Sequence, residues 1–375
     1  MQFRDLQKQY LALKKQIDEN VINVMTSGSF ILGKPVAELE EKLASFAGRK
    51  HCIGVGNGTD ALQLSLMAYD VGPGDAVFTS DFTYFASAGS ASIIGATPVL
   101  VDIDLATFNM SAEDLERQIQ KVLAEGKLKP TFVVPVDLFG LPADYSKILP
   151  IAEKYGLRVL EDGAQGFGGA INGKRACSFG DISTTSFFPA KPLGCYGDGG
   201  AIFTDSDEID ARLRSLRAQG KSPEDKYDNR EIGMNSRLDT LQAAILLPKL
   251  KAFDEYELDA VNRVADRYTD ALKDKVVTPC IPEDFLSSWA QYTVLLENRE
   301  KRDAVQKALK EKGIPSMVYY PRGLHQQAAY KWMGLSDEEF PNTLRATNCV
   351  LSLPMHPYLD EKDQDYIIGS LLEVL

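Results

Sequence analysis

The sequence has few of the residues that build metal centres and disulfide frameworks. Its 375 residues include only three histidines and five cysteines. No two cysteines form a CxxC or CxxxC pair, so a zinc site is not indicated. An odd, dispersed set is typical of reduced thiols in the cytoplasm, and we expect no metal and no disulfide. The cysteines are Cys52, Cys177, Cys195, Cys280 and Cys349.

Long apolar runs and an excess of positive charge are also missing. No stretch of 18 apolar residues occurs, and the first ten residues are charged with no apolar segment behind them. Neither membrane insertion nor secretion is therefore expected. Asp and Glu number 53 against 41 Lys and Arg, which gives a formal net charge of −12. A chain this acidic is not expected to bind nucleic acid or anionic membranes, and we expect a cytoplasmic protein.

Short apolar strands alternate with helical stretches through the first two thirds of the chain. This alternation predicts an α/β fold, with a mostly parallel mixed sheet between layers of helices. From Leu238 the pattern changes to one long helical stretch reaching about Leu272, with a kink at Pro248. We expect a large α/β domain over residues 1–250 and a smaller α+β domain over 251–375, on which the N-terminal helix can pack. The predicted strands span residues 51–55, 75–79, 97–101, 131–136, 157–161, 182–188 and 201–204.

A glycine-rich turn, Gly54-Val55-Gly56-Asn57-Gly58-Thr59, lies where a predicted strand ends and a helix begins. Free N–H groups and the positive end of the helix make such a turn a natural phosphate site. Thr59 occupies the third glycine position of GxGxxG, so the turn is not the dinucleotide fingerprint. A nucleotide-dependent oxidoreductase and an ordinary strand–helix turn without a ligand both remain alternatives at this point.

Two further residues stand at the carboxyl ends of predicted strands, where open α/β sheets bind ligands. Asp162 could hold a metal, a ribose or a protonated ring nitrogen there, or could cap a helix. Lys191 follows an apolar strand and is flanked by prolines, although a solvated loop lysine is the alternative. A phosphate site, an acid and a lysine are together the parts that pyridoxal 5'-phosphate (PLP) requires. Asp162 would keep the ring nitrogen protonated, and Lys191 would form the Schiff base and move protons.

These motifs resemble those of the PLP-dependent sugar aminotransferases of the DegT/DnrJ/EryC1/StrS family. The resemblance spans nearly the whole chain and implies the type I fold of PLP-dependent transferases, like that of aspartate aminotransferase. It also implies transamination, since members that act as dehydratases carry histidine in place of the lysine. The most specific motifs are Glu161-Asp162-Gly163-Ala164-Gln165, Ser186-Phe187-Phe188-Pro189-Ala190-Lys191 and Gly233-Met234-Asn235-Ser236-Arg237-Leu238-Asp239.

The resemblance implies a role for each residue that matches a family motif. Lys191 is expected to bind the cofactor covalently, with Asp162 at the pyridine nitrogen. The other expected cofactor contacts are Gln165 near the ring hydroxyl, Tyr84 stacked on the ring, Gly58, Thr59 and Ser186 at the phosphate, and Asn235 at the phosphate of the neighbouring subunit. A homodimer with shared active sites follows from the last of these contacts.

The implied reaction is a ping-pong transfer from L-glutamate to a ketone on a nucleotide-linked sugar. Segments 186–204 and 235–250 resemble the branch that aminates C3 of UDP-2-acetamido-2-deoxy-3-oxo-glucuronate for surface polysaccharides such as O-antigen. Arg237 could then contact a carboxylate of the uronate or the donor. Tyr319, Tyr320 and His325 are the other expected substrate contacts.

One departure from that branch keeps the substrate open. Where the branch reads His-Tyr-Pro, this chain reads Tyr319-Tyr320-Pro321, which removes a possible cation. Neutral 3-keto or 4-keto UDP-, dTDP- or GDP-sugars therefore remain alternatives. A non-catalytic protein that binds PLP or regulates a partner is the third class, which the intact Lys191 and Asp162 disfavour.

Overall fold

A seven-stranded mixed sheet forms the centre of the fold in the computed structural model, which describes residues 1–222, 224–225 and 227–375. The strands in chain order are β1 (His51–Val55), β2 (Asp75–Ser80), β3 (Thr97–Val101), β4 (Lys129–Val134), β5 (Arg158–Asp162), β6 (Ala170–Ile171), β7 (Lys174–Arg175), β8 (Ile182–Ser186), β9 (Gly200–Thr204), β10 (Phe285–Leu286), β11 (Tyr292–Leu295) and β12 (Val350–Leu353). The large sheet has the order β1-β9-β8-β5-β4-β2-β3, and two small sheets have the orders β10-β6-β7 and β11-β12.

Helices surround this sheet and form much of the C-terminal third of the chain. Among those that the structure describes, none is both long and apolar enough to span a membrane. They are α1 (Leu6–Ser27), α2 (Lys34–Ala47), α3 (Gly58–Met67), α4 (Ala86–Ile93), α5 (Ala112–Glu125), α6 (Tyr145–Tyr155), α7 (Asp207–Leu216), α8 (Thr240–Ala252), α9 (Leu258–Leu272), α10 (Arg299–Glu311), α11 (Pro341–Cys349) and α12 (Glu361–Val374).

Strand direction within the large sheet confirms the predicted mostly parallel mixed arrangement. Neighbours from β8 through β5, β4, β2 and β3 are parallel, whereas β9 runs antiparallel to both β1 and β8. The parallel strands are buried almost throughout, as expected of a sheet covered on both faces. All seven predicted strands are present, although β4 lies two residues earlier than predicted and β8 ends at Ser186 rather than 188.

The predicted kink at Pro248 stays a prediction, but the helix is not interrupted there. Pro248 lies inside α8, and the irregularity is a π-helical turn at Phe253–Glu257, between α8 and α9. A proline leaves the carbonyl four residues earlier without its helical partner. Here that carbonyl, of Ala244, accepts a 3.1 Å hydrogen bond from the side-chain Nδ2 of Asn20 in α1. The neighbouring helix therefore supplies the hydrogen bond that the proline removes.

The first helix packs mainly on α8, through Leu13, Ile17, Ile245 and Ala252. Its N-terminal end also reaches the C-terminal part of the chain, since Gln9 donates to both carboxylate oxygens of Glu257 at 3.0 Å. One apolar core joins α2, α8 and α9 to β11, β12 and α12. The division into domains at residue 250 stays a prediction.

Candidate active site

A cavity of about 770 Å³ opens at the carboxyl ends of the parallel strands. Its walls come from the segments that follow β1, β2, β5 and β8, together with a loop at 318–327. Parallel strands deliver their loops to one edge, so residues far apart in sequence meet there. The predicted site residues that line the cavity are Gly58, Thr59, Tyr84, Asp162, Gln165, Ser186, Lys191, Tyr319 and Tyr320.

Asp162, the last residue of β5, presents a buried carboxylate to the cavity. Its Oδ2 accepts a 2.8 Å hydrogen bond from Ser87 Oγ, and its Oδ1 accepts one of 3.2 Å from the N–H of Ala164. Burial raises the pKa of Asp162, while these hydrogen bonds and the charge of Lys191 oppose the rise. The described part of the chain gives this carboxylate two hydrogen bonds and no ion pair, so it is suited to pair with a cation on a ligand.

Lys191 lies in the connection between β8 and β9 and contributes its side chain to the same cavity. Burial lowers the pKa of its amine; the charge of Asp162 acts against this and the charge of Arg4 adds to it. Arg4 reaches the connection directly, because its Nη2 donates to the carbonyl of Pro192 at 3.2 Å. A lysine with a lowered pKa is more often an uncharged amine, the form that acts as a nucleophile and as a base.

The glycine-rich turn also lines the cavity, where it provides a site for an anion. Asn57 caps α3 by accepting the N–H of Asp60 at 2.8 Å, and the first N–H groups of the helix have no partner within it. Gly58 packs so closely on Ser186 that a Cβ at position 58 would lie 2.7 Å from the Ser186 Cβ. That closeness brings the helix end and the Ser186 hydroxyl to one place.

Gln165 joins two walls of the cavity. Its Oε1 accepts the N–H of Phe139 at 2.9 Å, and its Nε2 donates to the hydroxyl of Tyr320 at 3.1 Å. Burial raises the pKa of Tyr320, so its phenol stays protonated. Tyr84 also lines the cavity, and its 58% exposed side chain is accessible to a ligand.

Three predicted site residues do not line the cavity. Both ring nitrogens of His325 are bonded to carboxylates, Nδ1 to Asp81 at 2.6 Å and Nε2 to Asp337 at 2.9 Å. His325 is buried against Phe340, so its expected contact with substrate does not agree with its position. Asn235 and Arg237 lie at the surface, joined by a hydrogen bond, on either side of the buried Ser236.

Other residues of the site were missed by reading the sequence. Ser87 carried no signal, because it is one of several small residues in an unremarkable helix. Gln291 lines the cavity with its Oε1 buried and without a partner among the described residues, which marks a place for a donor on a ligand. Asp198 and Arg322 also line the cavity, and Arg4 lies beside the Lys191 loop. Among these residues, Asp198 alone had a signal in the sequence, because it lies within the glycine-rich segment Gly197-Asp198-Gly199-Gly200.

This lining fits PLP. The buried Asp162 suits a protonated ring nitrogen, the end of α3 with Ser186 suits a phosphate, and the Lys191 amine lies in the same cavity. The described residues contain no cluster of three or more metal-ligating side chains at which an ion could compete for these groups.

Residues 12–372 match the DegT/DnrJ/EryC1/StrS aminotransferase family. The chain belongs to that family. A UDP-2-acetamido-2-deoxy-3-oxo-D-glucuronate aminotransferase of Pseudomonas aeruginosa is 45% identical, over 99% of this chain and 99% of its own. A UDP-N-acetyl-3-dehydro-alpha-D-glucosamine 3-aminotransferase of Acidithiobacillus ferrooxidans is 38% identical, over 96% of this chain and 93% of its own.

Solved aminotransferase structures share the fold over nearly the whole chain. One from Brucella abortus superposes with a TM-score of 0.96 at 46% identity and covers 100% of this chain and 99% of its own. The PLP form of Spr1654 from Streptococcus pneumoniae gives a TM-score of 0.88 at 25% identity, over 96% of this chain and 97% of its own. These findings confirm the predicted family, fold class, aminotransferase activity and PLP cofactor.

Proposed function

We propose that this DegT/DnrJ/EryC1/StrS aminotransferase moves the amino group of L-glutamate to C3 of UDP-2-acetamido-2-deoxy-3-oxo-glucuronate. The observation that carries the proposal is the 45% identity, over 99% of both chains, to the Pseudomonas aeruginosa enzyme named for that substrate. The product would serve in the biosynthesis of a surface polysaccharide. The cytoplasm is the proposed location, which agrees with five free cysteines.

Each of several residues that line the cavity has its own role in this reaction. When bound, PLP supplies an electron sink for negative charge on the carbon that loses its proton. Asp162 holds the proton at the pyridine nitrogen, and the first turn of α3 with Ser186 binds the phosphate. Lys191 takes a proton from the α-carbon of glutamate in one half-reaction and gives a proton to C3 of the sugar in the other. Gln165, held by Phe139 and Tyr320, orients the ring hydroxyl.

A homodimer that shares its active sites is part of the proposal. Ile232 is 89% exposed, and Phe30, Ile31 and Leu32 also expose large apolar side chains. This second group lies next to the segment of Asn235, because the N–H of Thr240 donates to the carbonyl of Phe30 at 2.9 Å. Exposed apolar surface of this kind marks protein contacts. A second subunit covering it would meet Asn235 and Arg237.

The proposed substrate is tested by following the visible absorption of the PLP-loaded protein. L-Glutamate should bleach the band, and after its removal the UDP-3-keto-uronate should restore it. Mass spectrometry should then find the amino sugar. A band that glutamate bleaches but that only a neutral keto sugar restores would overturn the substrate and leave the aminotransferase activity standing.

A neutral 3-keto UDP-sugar is the second candidate. The uncharged Tyr319 favours it, because the phenol at this position provides no cation for a carboxylate, and burial raises its pKa. The 38% identity to the Acidithiobacillus ferrooxidans enzyme, whose name carries a glucosamine without the uronate, supports the same candidate. The two candidates differ in one group of the sugar, a carboxylate against a hydroxymethyl.

A further inference from the structure

Few positive charges face the cavity. Among the lining residues that the structure describes, the cations are Lys191 and Arg322, and the carboxylates are Asp162 and Asp198. We assign Lys191 to proton transfer, and it shares the cavity with the carboxylate of Asp162. Of the charged groups in this lining, Arg322 alone is therefore free to bind an anionic group of the substrate.

The side chain of Arg322 is exposed. No hydrogen bond or ion pair joins it to any residue in the described part of the chain. Its backbone, in contrast, lies in a well-anchored loop. Two residues earlier the hydroxyl of Tyr320 is bonded to Gln165, and two residues later the N–H of Leu324 donates to the carbonyl of Asp81 at 2.8 Å. The loop thus holds a free cation at a fixed place in the cavity wall.

A close approach fixes the loop immediately after Arg322. A Cβ at Gly323 would lie 2.4 Å from the Oδ2 of Asp81, so only glycine lets the chain pass there without a shift. Asp81 in turn accepts the backbone N–H of His325 at 2.8 Å. Both contacts place Arg322 against the end of β2, the same element that leads to Tyr84.

Tyr319 shows why the cation at 322 matters. Its ring packs edge-on against Phe3 and Tyr320, at centroid distances of 6.2 and 5.8 Å, and it carries no charge. We propose that Arg322 binds the carboxylate of the acceptor sugar and gives the enzyme its preference for an acidic over a neutral keto sugar. The inference rests on the proposed function, since it requires a uronate substrate. Arg322 supplies, three residues further along the loop, the positive charge that position 319 lacks.

The test compares kcat/KM of the PLP-loaded enzyme for the UDP-3-keto-uronate and for its neutral 3-keto counterpart. In Arg322→Gln the ratio of acidic to neutral substrate should fall about 10- to 100-fold, mostly through KM, as expected for a lost charge-assisted contact. Arg322→Lys should restore part of the ratio. Lys331→Gln removes an exposed charge outside the cavity lining and should leave the ratio unchanged.

Three results would overturn the inference. An equal loss for both sugars would place Arg322 at the nucleotide, and a slower reaction with glutamate alone would place it at the amino donor. An unchanged ratio would leave it without a role in binding. Failure of the proposed function is separate, because it would already be seen in the wild-type enzyme as turnover of the neutral sugar only.

Discussion

The hydroxyl of Ser87 donates a 2.8 Å hydrogen bond to the Oδ2 of Asp162. Ser87 lies in α4, and Asp162 ends β5, so the bond joins two segments that are 75 residues apart. Both groups are buried, and hydrogen bonds to buried charges contribute more than those between neutral groups. The serine thereby favours the ionised carboxylate that the pyridine nitrogen requires.

Ser87→Ala should slow the half-reaction with glutamate about 10- to 100-fold, because a hydrogen bond to a charged group is lost. Of the hydrogen bonds that the described residues give its carboxylate, Asp162 would then keep the one from the N–H of Ala164. Stopped-flow absorption of the PLP-loaded protein measures the rate. Ser92→Ala is the matched control, since its hydroxyl is bonded to Tyr330 and Ala88 on the outer side of the same helix. Equal effects of the two variants would contradict the role given to Ser87.

Arg4→Gln should shift the acidic limb of the pH–rate profile to higher pH. Arg4 contacts the carbonyl of Pro192, next to Lys191, and its charge helps to lower the pKa of that amine. Without the charge the pKa of Lys191 rises, and the amine is protonated over a wider range of pH. The rate of the glutamate half-reaction as a function of pH measures the shift. Arg4→Lys keeps the charge and should keep the profile; an identical shift in both variants would point to packing instead.

His325→Gln should destabilise the fold more near about pH 6, where His325 is protonated and Asp81 ionised, than in alkaline solution. Burial alone would lower the pKa of His325, but Asp81 and Asp337 raise it above its ordinary value. A raised pKa contributes stability that is fully present below about pH 6.5 and is lost as the pH rises through the folded-state pKa. Leaving Asp81 buried without its partner should lower the free energy of unfolding by about 3–5 kcal/mol at pH 6.

Urea unfolding of wild type and His325→Gln at a series of pH values checks this dependence. His51→Gln is the comparison, because His51 pairs with Asp207, whose side chain is 72% exposed. Screening by solvent makes such a surface pair weak, and little change is expected at any pH. A loss of stability in His325→Gln that does not vary with pH would show that only the shape of the ring matters.

Mixing two inactive variants tests the shared site. Lys191→Ala removes the amine from one subunit, and Asn235→Ala removes the proposed phosphate contact from the other. In a mixed dimer one of the two sites keeps both residues, so a random 1:1 mixture should recover about one quarter of wild-type activity. Each variant alone, refolded in the same way, is the control. No recovery in a mixture that sedimentation shows to be dimeric would mean that each site is built from one subunit.

The sheet and the centre of the site could be read from the sequence because their signals are local. The apolar runs Cys52–Val55 and Val159–Leu160 lie in buried strands that lead into the glycine-rich turn and into Asp162. Asp162 and Lys191 follow such strands, and the topology of a parallel sheet brings their ends to one edge. The position of each residue thus followed from its own neighbours in sequence.

What the sequence left hidden depends on contacts between distant segments. The carbonyl of Ala244, which Pro248 leaves without a helical partner, is bonded by Asn20, 224 residues before Ala244, and the sequence of the helix itself does not show this contact. His325 stands in the expected substrate loop, but its direction is set by Asp81 and Asp337, so it binds the loop in place instead of facing the cavity. Arg4 and Ser87 act through partners that no spacing rule connects to them.

The antiparallel direction of β9 fixes both ends of the loop that contains Lys191 to the sheet. Because β9 pairs antiparallel with β8, the chain leaves the sheet at Ser186 and returns beside it at Gly200, which are direct partners. Inside this closed loop, the N–H of Phe187 donates to Gly199 and that of Cys195 donates back to Phe187. The wall at 318–327 is held differently, by the side-chain bond between Tyr320 and Gln165 and by the N–H of Leu324, which donates to the carbonyl of Asp81. Substitutions of side chains in that wall can therefore change which sugar binds without moving the backbone that carries the Lys191 amine.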